Sequence, residues 1–117
     1  MNKHLEIKII HTTDVHGSFF PYDFINSCKR NGSLARVSTY VKKSRKEYGE
    51  KLLLLDGGDI LQGQPTCYYC NYINTEKTNV AARVINLMKY DAETIGNHDI
   101  ETGHKVYDKY CLETDCD

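Results

Sequence analysis

The stretch "KLLLLDGGD", residues 51–59, places four leucines in succession directly before acidic residues and glycines. A continuous apolar run that ends in polar residues is typical of a strand covered on both faces of a parallel sheet. The stretch therefore predicts an α/β fold, and the flanking sequence should supply parallel neighbours and the helices that connect them.

Candidate strands lie on either side of this run. Residues 5–12 alternate apolar and polar side chains and are rich in β-branched residues, as expected of a first strand. The stretch "AETI", residues 92–95, supplies a short third strand. Parallel pairing of these strands would bring their carboxyl ends to one edge of the sheet, where ligands bind in folds of this class.

Two helical patterns separate the three strands. Ser33 can cap a helix that continues to Tyr48 and ends at Gly49, and a second apolar stripe begins at about Thr78. Residues 57–77 between them are predicted to be rich in loops. The order strand, helix, strand, helix, strand predicts right-handed crossovers in one βαβαβ unit.

Length and charge exclude several classes of function. The 117 residues suit one small domain or part of a larger one. Fifteen Lys and Arg against sixteen Asp and Glu give a net charge of -1, so we expect no nucleic-acid polymer as partner. No apolar run is long enough to cross a bilayer, and no signal peptide is visible. The oligomeric state is open.

The five cysteines raise a minor alternative. Cys67 and Cys70 form a C-x-x-C motif, and Cys111 and Cys116 follow at a wider spacing, with Cys28 apart. A zinc or redox module could use such pairs, but the second gap does not repeat the first. We therefore favour buried or loop thiols.

Polar residues follow the first two predicted strands. Asp14 and His16 form a D-x-H arrangement after the first, and residues two apart on an extended segment point the same way. Asp56 and Asp59 follow the second, with glycines between them that let the backbone turn sharply. These side chains should converge at the edge of the sheet.

A third polar cluster follows the third strand, in the sequence "GNHD" and in Glu101. Together the three clusters offer carboxylates, imidazoles and an amide, a set that suits hard or borderline divalent ions, and Asp59 could bridge two of them. Enzymes that catalyse displacement at phosphorus commonly use two metal ions about 3.5 to 4 Å apart. If Asn97 is a ligand, His98 can assist the phosphoryl charge or the leaving group. Asp99 and Glu101 are both candidates to orient that histidine.

Three motifs carry a family resemblance, namely "HTTDVHG", "LLLLDGGDILQGQP" and "YDAETIGNHDIETG". They resemble the first three motifs of the calcineurin-like metallophosphoesterases, in the bacterial branch of 5'-nucleotidases and 2',3'-cyclic-nucleotide 2'-phosphodiesterases. The similarity runs from about Ile7 to Gly103.

The resemblance implies a role for each matching residue. Asp14 and His16 would bind a first metal ion, Asp59 would bridge both ions, and Asn97 would bind the second. His98 would be the catalytic histidine. Its acidic partner three residues on would be Glu101, where the family more commonly has aspartate.

The resemblance also implies an architecture and an activity. The family fold is an αββα sandwich, of which residues 1–117 would form the N-terminal βαβαβ portion, and we expect the chain to stop before later histidine motifs and a C-terminal nucleotide-binding domain. The implied activity is hydrolysis of nucleotides or other small phosphoesters with two divalent ions, chosen from Mn, Zn, Fe, Co and Mg. We expect this chain alone to be weakly active or inactive, and the alternative is a non-catalytic metal-binding or interaction remnant. The branch is commonly periplasmic or at the cell surface.

Overall fold

A computed structural model of the chain describes residues 4–117. In chain order its strands and helices are β1 (Lys8–Thr12), β2 (Tyr22–Asp23), β3 (Cys28–Lys29), α1 (Leu34–Tyr48), β4 (Leu52–Asp56), α2 (Pro65–Tyr68), α3 (Val80–Met88), β5 (Ala92–Glu93), α4 (Asn97–Ile100) and α5 (His104–Glu113). A 3-10 turn, Gly49–Lys51, and a π-helical turn, Tyr69–Ile73, follow α1 and α2.

The leucine run forms β4, the central strand of a three-stranded parallel sheet in the order β1-β4-β5. Lys8 of β1 lies opposite Leu52 and Thr12 lies opposite Asp56, while Leu55 lies opposite Ala92 of β5. This register brings the carboxyl ends of β1, β4 and β5 to one edge. The predicted parallel βαβαβ unit is confirmed.

Helix α1 has the predicted ends. Ser33 caps it by accepting a hydrogen bond from the Arg36 amide, and Gly49 ends it with a positive φ of 57°. Helix α3 begins at Val80, two residues after the predicted start, because the Asn79 side chain caps it by accepting from the Ala81 amide at 2.9 Å.

The prediction that β4 is covered on both faces is wrong for residues 4–117. Leu52 and Leu54 join the buried core with the apolar residues of α1 and α3. On the other face Leu53 is 40% exposed and its β1 neighbour Ile9 is 60% exposed. Successive right-handed crossovers that move in one direction across a sheet put their helices on the same side, so the opposite face receives none from this unit.

The segment predicted to be loop-rich holds α2 and the π-helical turn. Pro65 occupies the first turn of α2, where its missing N–H costs nothing. Buried Asn71 donates to the Leu61 carbonyl at 2.7 Å and accepts from the Asn79 amide group at 2.7 Å. The segment is thus fixed by polar bonds, which leave no apolar stripe for sequence analysis to detect.

The short hairpin of β2 and β3 and the helices α4 and α5 are likewise additions to the predicted unit. Among residues 4–117 no helix combines the length and the hydropathy needed to cross a bilayer.

Candidate metal centre

Three predicted ligands meet at the carboxyl edge of the sheet. Asp14 and His16 follow β1, and Asp59 follows β4. One ligand atom from each lies within 4.8 Å of the other two. Carboxylate oxygens and an imidazole nitrogen at this spacing fit a borderline or hard divalent cation.

The backbone at these three positions adopts an uncommon conformation. Asp14, His16 and Asp59 all have positive φ, at 54°, 47° and 60°. Hydrogen bonds between the two loops maintain it, because Asp14 N–H donates to the Gly58 carbonyl at 3.0 Å and His16 N–H donates to the Asp59 carbonyl at 2.9 Å. Left-handed non-glycine residues persist only where their surroundings fix them, and they cluster at functional sites.

The loop after β5 closes against Asp59. His98 N–H donates to Asp59 Oδ1 at 2.8 Å. A Cβ atom added to Gly96 would lie 2.1 Å from the same Oδ1, so only glycine lets the loop come this close. The third loop therefore contacts the carboxylate that is predicted to bridge the ions.

Asp99 is buried and binds backbone rather than the histidine. Its carboxylate accepts from the amides of Asp59, Ile60 and Leu61 at 2.7, 2.9 and 2.8 Å, and from the Gly96 amide at 2.9 Å. Four N–H donors compensate a negative charge that burial would otherwise penalise. Asp99 thus ties the loop after β4 to the loop after β5.

Glu101 is the acid that contacts His98. The imidazole Nδ1 lies 2.8 Å from Glu101 Oε2, and Gln62 Nε2 donates to the same oxygen at 3.0 Å. The hydrogen bond to Glu101 raises the pKa of His98 above its ordinary value, and the negative charges of Asp59 and Asp14 add to this effect. The same bond lowers the pKa of Glu101. The rings of His98 and His16 meet edge to face with centroids 5.4 Å apart.

Asn97 is the remaining predicted ligand. Asn97 is the first residue of α4 and is exposed, one position before the amide that binds Asp59. Its role as a ligand stays a prediction, as do the catalytic roles of His98, Asp99 and Glu101. His104 lies on α5, where it contacts Tyr107 and Asp108.

Two supporting residues were missed as such in the sequence. Asp56 accepts from the Thr12 hydroxyl and, at 2.9 Å, from the Gly58 amide, so it shapes the turn that leads to Asp59. Burial raises the pKa of Asp56. The signal for Asp56 in the sequence was its position as the last residue of a predicted buried strand. Gln62, which holds Glu101, is one of several polar residues in its loop and gave no comparable signal.

The cysteines form no comparable cluster among the residues that the structure describes, where Asp14, His16 and Asp59 are the group with metal-binding spacing. Cys67 is buried, which raises its pKa to about 12 and makes the thiol unreactive. This fits the favoured interpretation of buried or loop thiols.

Fold and site together define an α/β protein with a candidate divalent-metal centre at the carboxyl ends of its parallel strands. The family model for calcineurin-like phosphoesterases matches residues 7–115. The chain belongs to this family.

Named relatives agree with this assignment. The chain is 34% identical to the trifunctional nucleotide phosphoesterase protein YfkN of Bacillus subtilis, over 85% of this chain and 7% of YfkN. It is 37% identical to the 5'-nucleotidase of Rattus norvegicus, over 86% of this chain and 17% of that protein. The crystal structure of YfkN superposes with a TM-score of 0.85 at 32% identity, covering 94% of this chain and 35% of that one. The chain therefore spans a small part of the relatives it matches.

Proposed function

We propose that this chain carries the N-terminal part of the metal centre of a phosphoester hydrolase that acts on nucleotides or related small phosphoesters. The convergence of Asp14, His16 and Asp59 within 4.8 Å is the observation that carries the proposal. The adjacent pair of His98 and Glu101 supplies a proton-bearing group beside it. Relatives that are named as nucleotide phosphoesterase and 5'-nucleotidase support the substrate class.

The proposed centre holds two ions chosen from Mn, Zn, Fe, Co and Mg. Asp14 and His16 would hold the first, Asp59 would bridge both, and Asn97 would hold the second. Divalent ions bound there would neutralise phosphoryl charge and lower the pKa of an attacking water. Carboxylate, imidazole and amide ligands fit several of these metals, because each accepts mixed oxygen and nitrogen donors.

His98 has the proposed catalytic role. Because Nδ1 is bonded to Glu101, Nε2 is the nitrogen left to face a substrate, where it would stabilise a phosphoryl oxygen or give a proton to the leaving alkoxide. The hydrogen bond to Glu101 raises the pKa of His98, which favours the protonated ring over the neutral one. Gln62 would position Glu101, and Asp99 would position the two loops that carry Asp59 and His98.

A second candidate function is a metal-binding module without turnover. It is favoured by the small ligand set, since the described residues supply three clustered His and Asp ligands plus the exposed amide of Asn97. Such a module would bind divalent metal weakly and would hydrolyse little.

Measurements of metal binding and hydrolysis in the Asp59→Asn variant distinguish the two candidate functions. We expect Mn²⁺ affinity, measured by calorimetry, to fall at least about 100-fold, because losing even an outer-shell contact costs up to that much. Hydrolysis of AMP and 4-nitrophenyl phosphate would fall with it. Asp108→Asn, at an exposed position on α5, is the control and should leave both unchanged. Unchanged Mn²⁺ affinity in Asp59→Asn would refute the centre, whereas weak Mn²⁺ binding that depends on Asp59, without hydrolysis in the wild type, would favour the module.

A further inference from the structure

A cavity of about 710 Å³ adjoins the pair of His98 and Glu101. Its lining includes Gln62, Pro65, Tyr68, Tyr72 and Glu101. We propose that this cavity, named here the tyrosine cavity, binds a planar heteroaromatic ring of the nucleobase class. The binding site is carried by this chain itself, in addition to any site that a C-terminal domain supplies.

Two tyrosines form the aromatic wall of the tyrosine cavity. Tyr68 ends α2 and Tyr72 lies in the π-helical turn four residues later, so both rings project from the same side of the segment. Their centroids are 5.1 Å apart with a tilt of 52°, and the rings are largely exposed rather than packed in the core. The Tyr72 hydroxyl donates to the Thr102 carbonyl at 3.1 Å, which fixes its ring. Exposed, positioned aromatic faces are what a heterocycle stacks on.

The polar edge of the tyrosine cavity presents acceptors. Gln62 Nε2 donates to the His98 carbonyl at 3.3 Å and to Glu101 Oε2 at 3.0 Å. Both partners are acceptors, so the amide orientation is fixed and Gln62 Oε1 is available; no donor within residues 4–117 is hydrogen-bonded to it. A ring with an exocyclic amine or ring N–H complements such an edge.

Charge excludes phosphate as the occupant of the tyrosine cavity. The residues that line it include the Glu101 carboxylate and no lysine or arginine. An anion there would be repelled, whereas an uncharged ring would be stacked and hydrogen-bonded. The part of a nucleotide that fits is therefore its base.

Glu101 connects the tyrosine cavity to the proposed chemistry. It lines the cavity and also holds His98, so a ring bound there lies next to the imidazole. This step rests on the proposed function: if a phosphoester is the substrate, a ring bound in the tyrosine cavity lies beside the histidine that faces the phosphate.

The test is an NMR titration of the metal-free 117-residue chain with adenosine, and with ribose as the matched ligand without a base. We expect adenosine to shift the side-chain amide of Gln62 and the backbone amides of residues 61–72, and ribose to shift neither. Tyr68→Ala should weaken adenosine binding about tenfold, and Tyr68→Phe, which keeps the ring, should not.

Tyr69→Ala is the control, because Tyr69 is a neighbouring exposed tyrosine that does not line the tyrosine cavity. Tyr68 is 62% exposed and Tyr69 is 52% exposed, so either truncation should leave the fold intact, as amide dispersion would verify. Three results would overturn the proposal. They are an equal loss of adenosine affinity in Tyr68→Ala and Tyr69→Ala, an unchanged adenosine affinity in Tyr68→Ala, and shifts of the same amides by ribose.

A separate Mn²⁺ titration keeps this inference distinct from the proposed function. Paramagnetic broadening centred on Asp14, His16 and Asp59 reports the metal centre alone. Adenosine binding without Mn²⁺ binding would overturn the proposed function and leave the tyrosine cavity supported. Mn²⁺ binding without adenosine binding would overturn the cavity and leave the metal centre supported.

Discussion

Strand β4 is stabilised in different ways along its length and beyond its end. Its body is held by apolar packing, with Leu52 and Leu54 in the core beneath α1 and α3. Past its last residue, the chain is held by hydrogen bonds to Asp99, which lies 40 positions from Asp59. Apolar packing is tolerant of small changes in shape, while a buried carboxylate with several donors is not. The strand end should therefore be more sensitive to substitution than the strand itself.

Asp99→Ala should have the largest effect. It leaves four backbone N–H groups without their acceptor, and each unsatisfied buried donor costs on the order of 1 to 3 kcal/mol. We expect the free energy of unfolding, measured with urea, to fall by about 4 kcal/mol or more. Asp108→Ala, at an exposed position on α5, should change it by less than about 0.5 kcal/mol. A loss below about 1 kcal/mol for Asp99→Ala would show that the strand end is held by something else.

Leu54→Ala in the body of β4 comes next. Leu54 is fully buried, so truncation should cost about 3 kcal/mol through lost burial and a residual cavity. Leu53→Ala is the matched control on the open face of the same strand and should cost less than about 1 kcal/mol. Equal losses in the two variants would mean that the open face is covered in solution, and the comparison between the two faces would fail.

Glu101→Gln should have the smallest effect on stability and a specific effect on His98. Removing the carboxylate removes the main cause of the raised pKa, which should fall towards the ordinary value of about 6.5 in an NMR titration of the metal-free chain. The raised pKa of folded His98 stabilises the fold below the unfolded-state pKa, and this contribution is lost as pH rises through the folded value. Both side chains are partly exposed, so solvent screening should keep the effect on the free energy of unfolding small. Asp99→Asn, if folded, should leave the pKa of His98 nearly unchanged; a drop equal to that of Glu101→Gln would reassign the partner.

The sequence contained enough to predict the sheet and the helix ends, because those depend on local patterns. Each pattern determines the structure of residues close to it in the chain. This holds for the leucine run, the Ser33 cap and the helix end at Gly49. Covering of both β4 faces was a wrong inference, since an unbroken apolar run shows that burial is tolerated and not which elements provide it.

The sequence predicted which residues belong to the site better than it predicted how they contact one another. Asp14, His16 and Asp59 could be placed together because parallel strands end at one edge. From the residues alone, without the family resemblance, the choice between Asp99 and Glu101 as the partner of His98 required knowing that residues 97–100 form a helix. On a helix, residue 101 lies one turn from His98 and on the same side, while residue 99 is rotated away. The tyrosine cavity escaped prediction because polar bonds of Asn71, rather than an apolar stripe, fix the segment that carries Tyr68 and Tyr72.

The positive φ angles of Asp14, His16 and Asp59 have a consequence for how such a chain changes over generations. Glycine adopts that conformation freely, whereas another residue there loses about 1 kcal/mol. A mutation to glycine at Asp14 or His16 would relieve local strain while deleting a ligand, whereas at Asp59 it would also leave the His98 N–H without its acceptor. At Asp14 and His16, relief of backbone strain and loss of a ligand therefore coincide, so selection for stability alone does not preserve these two ligands.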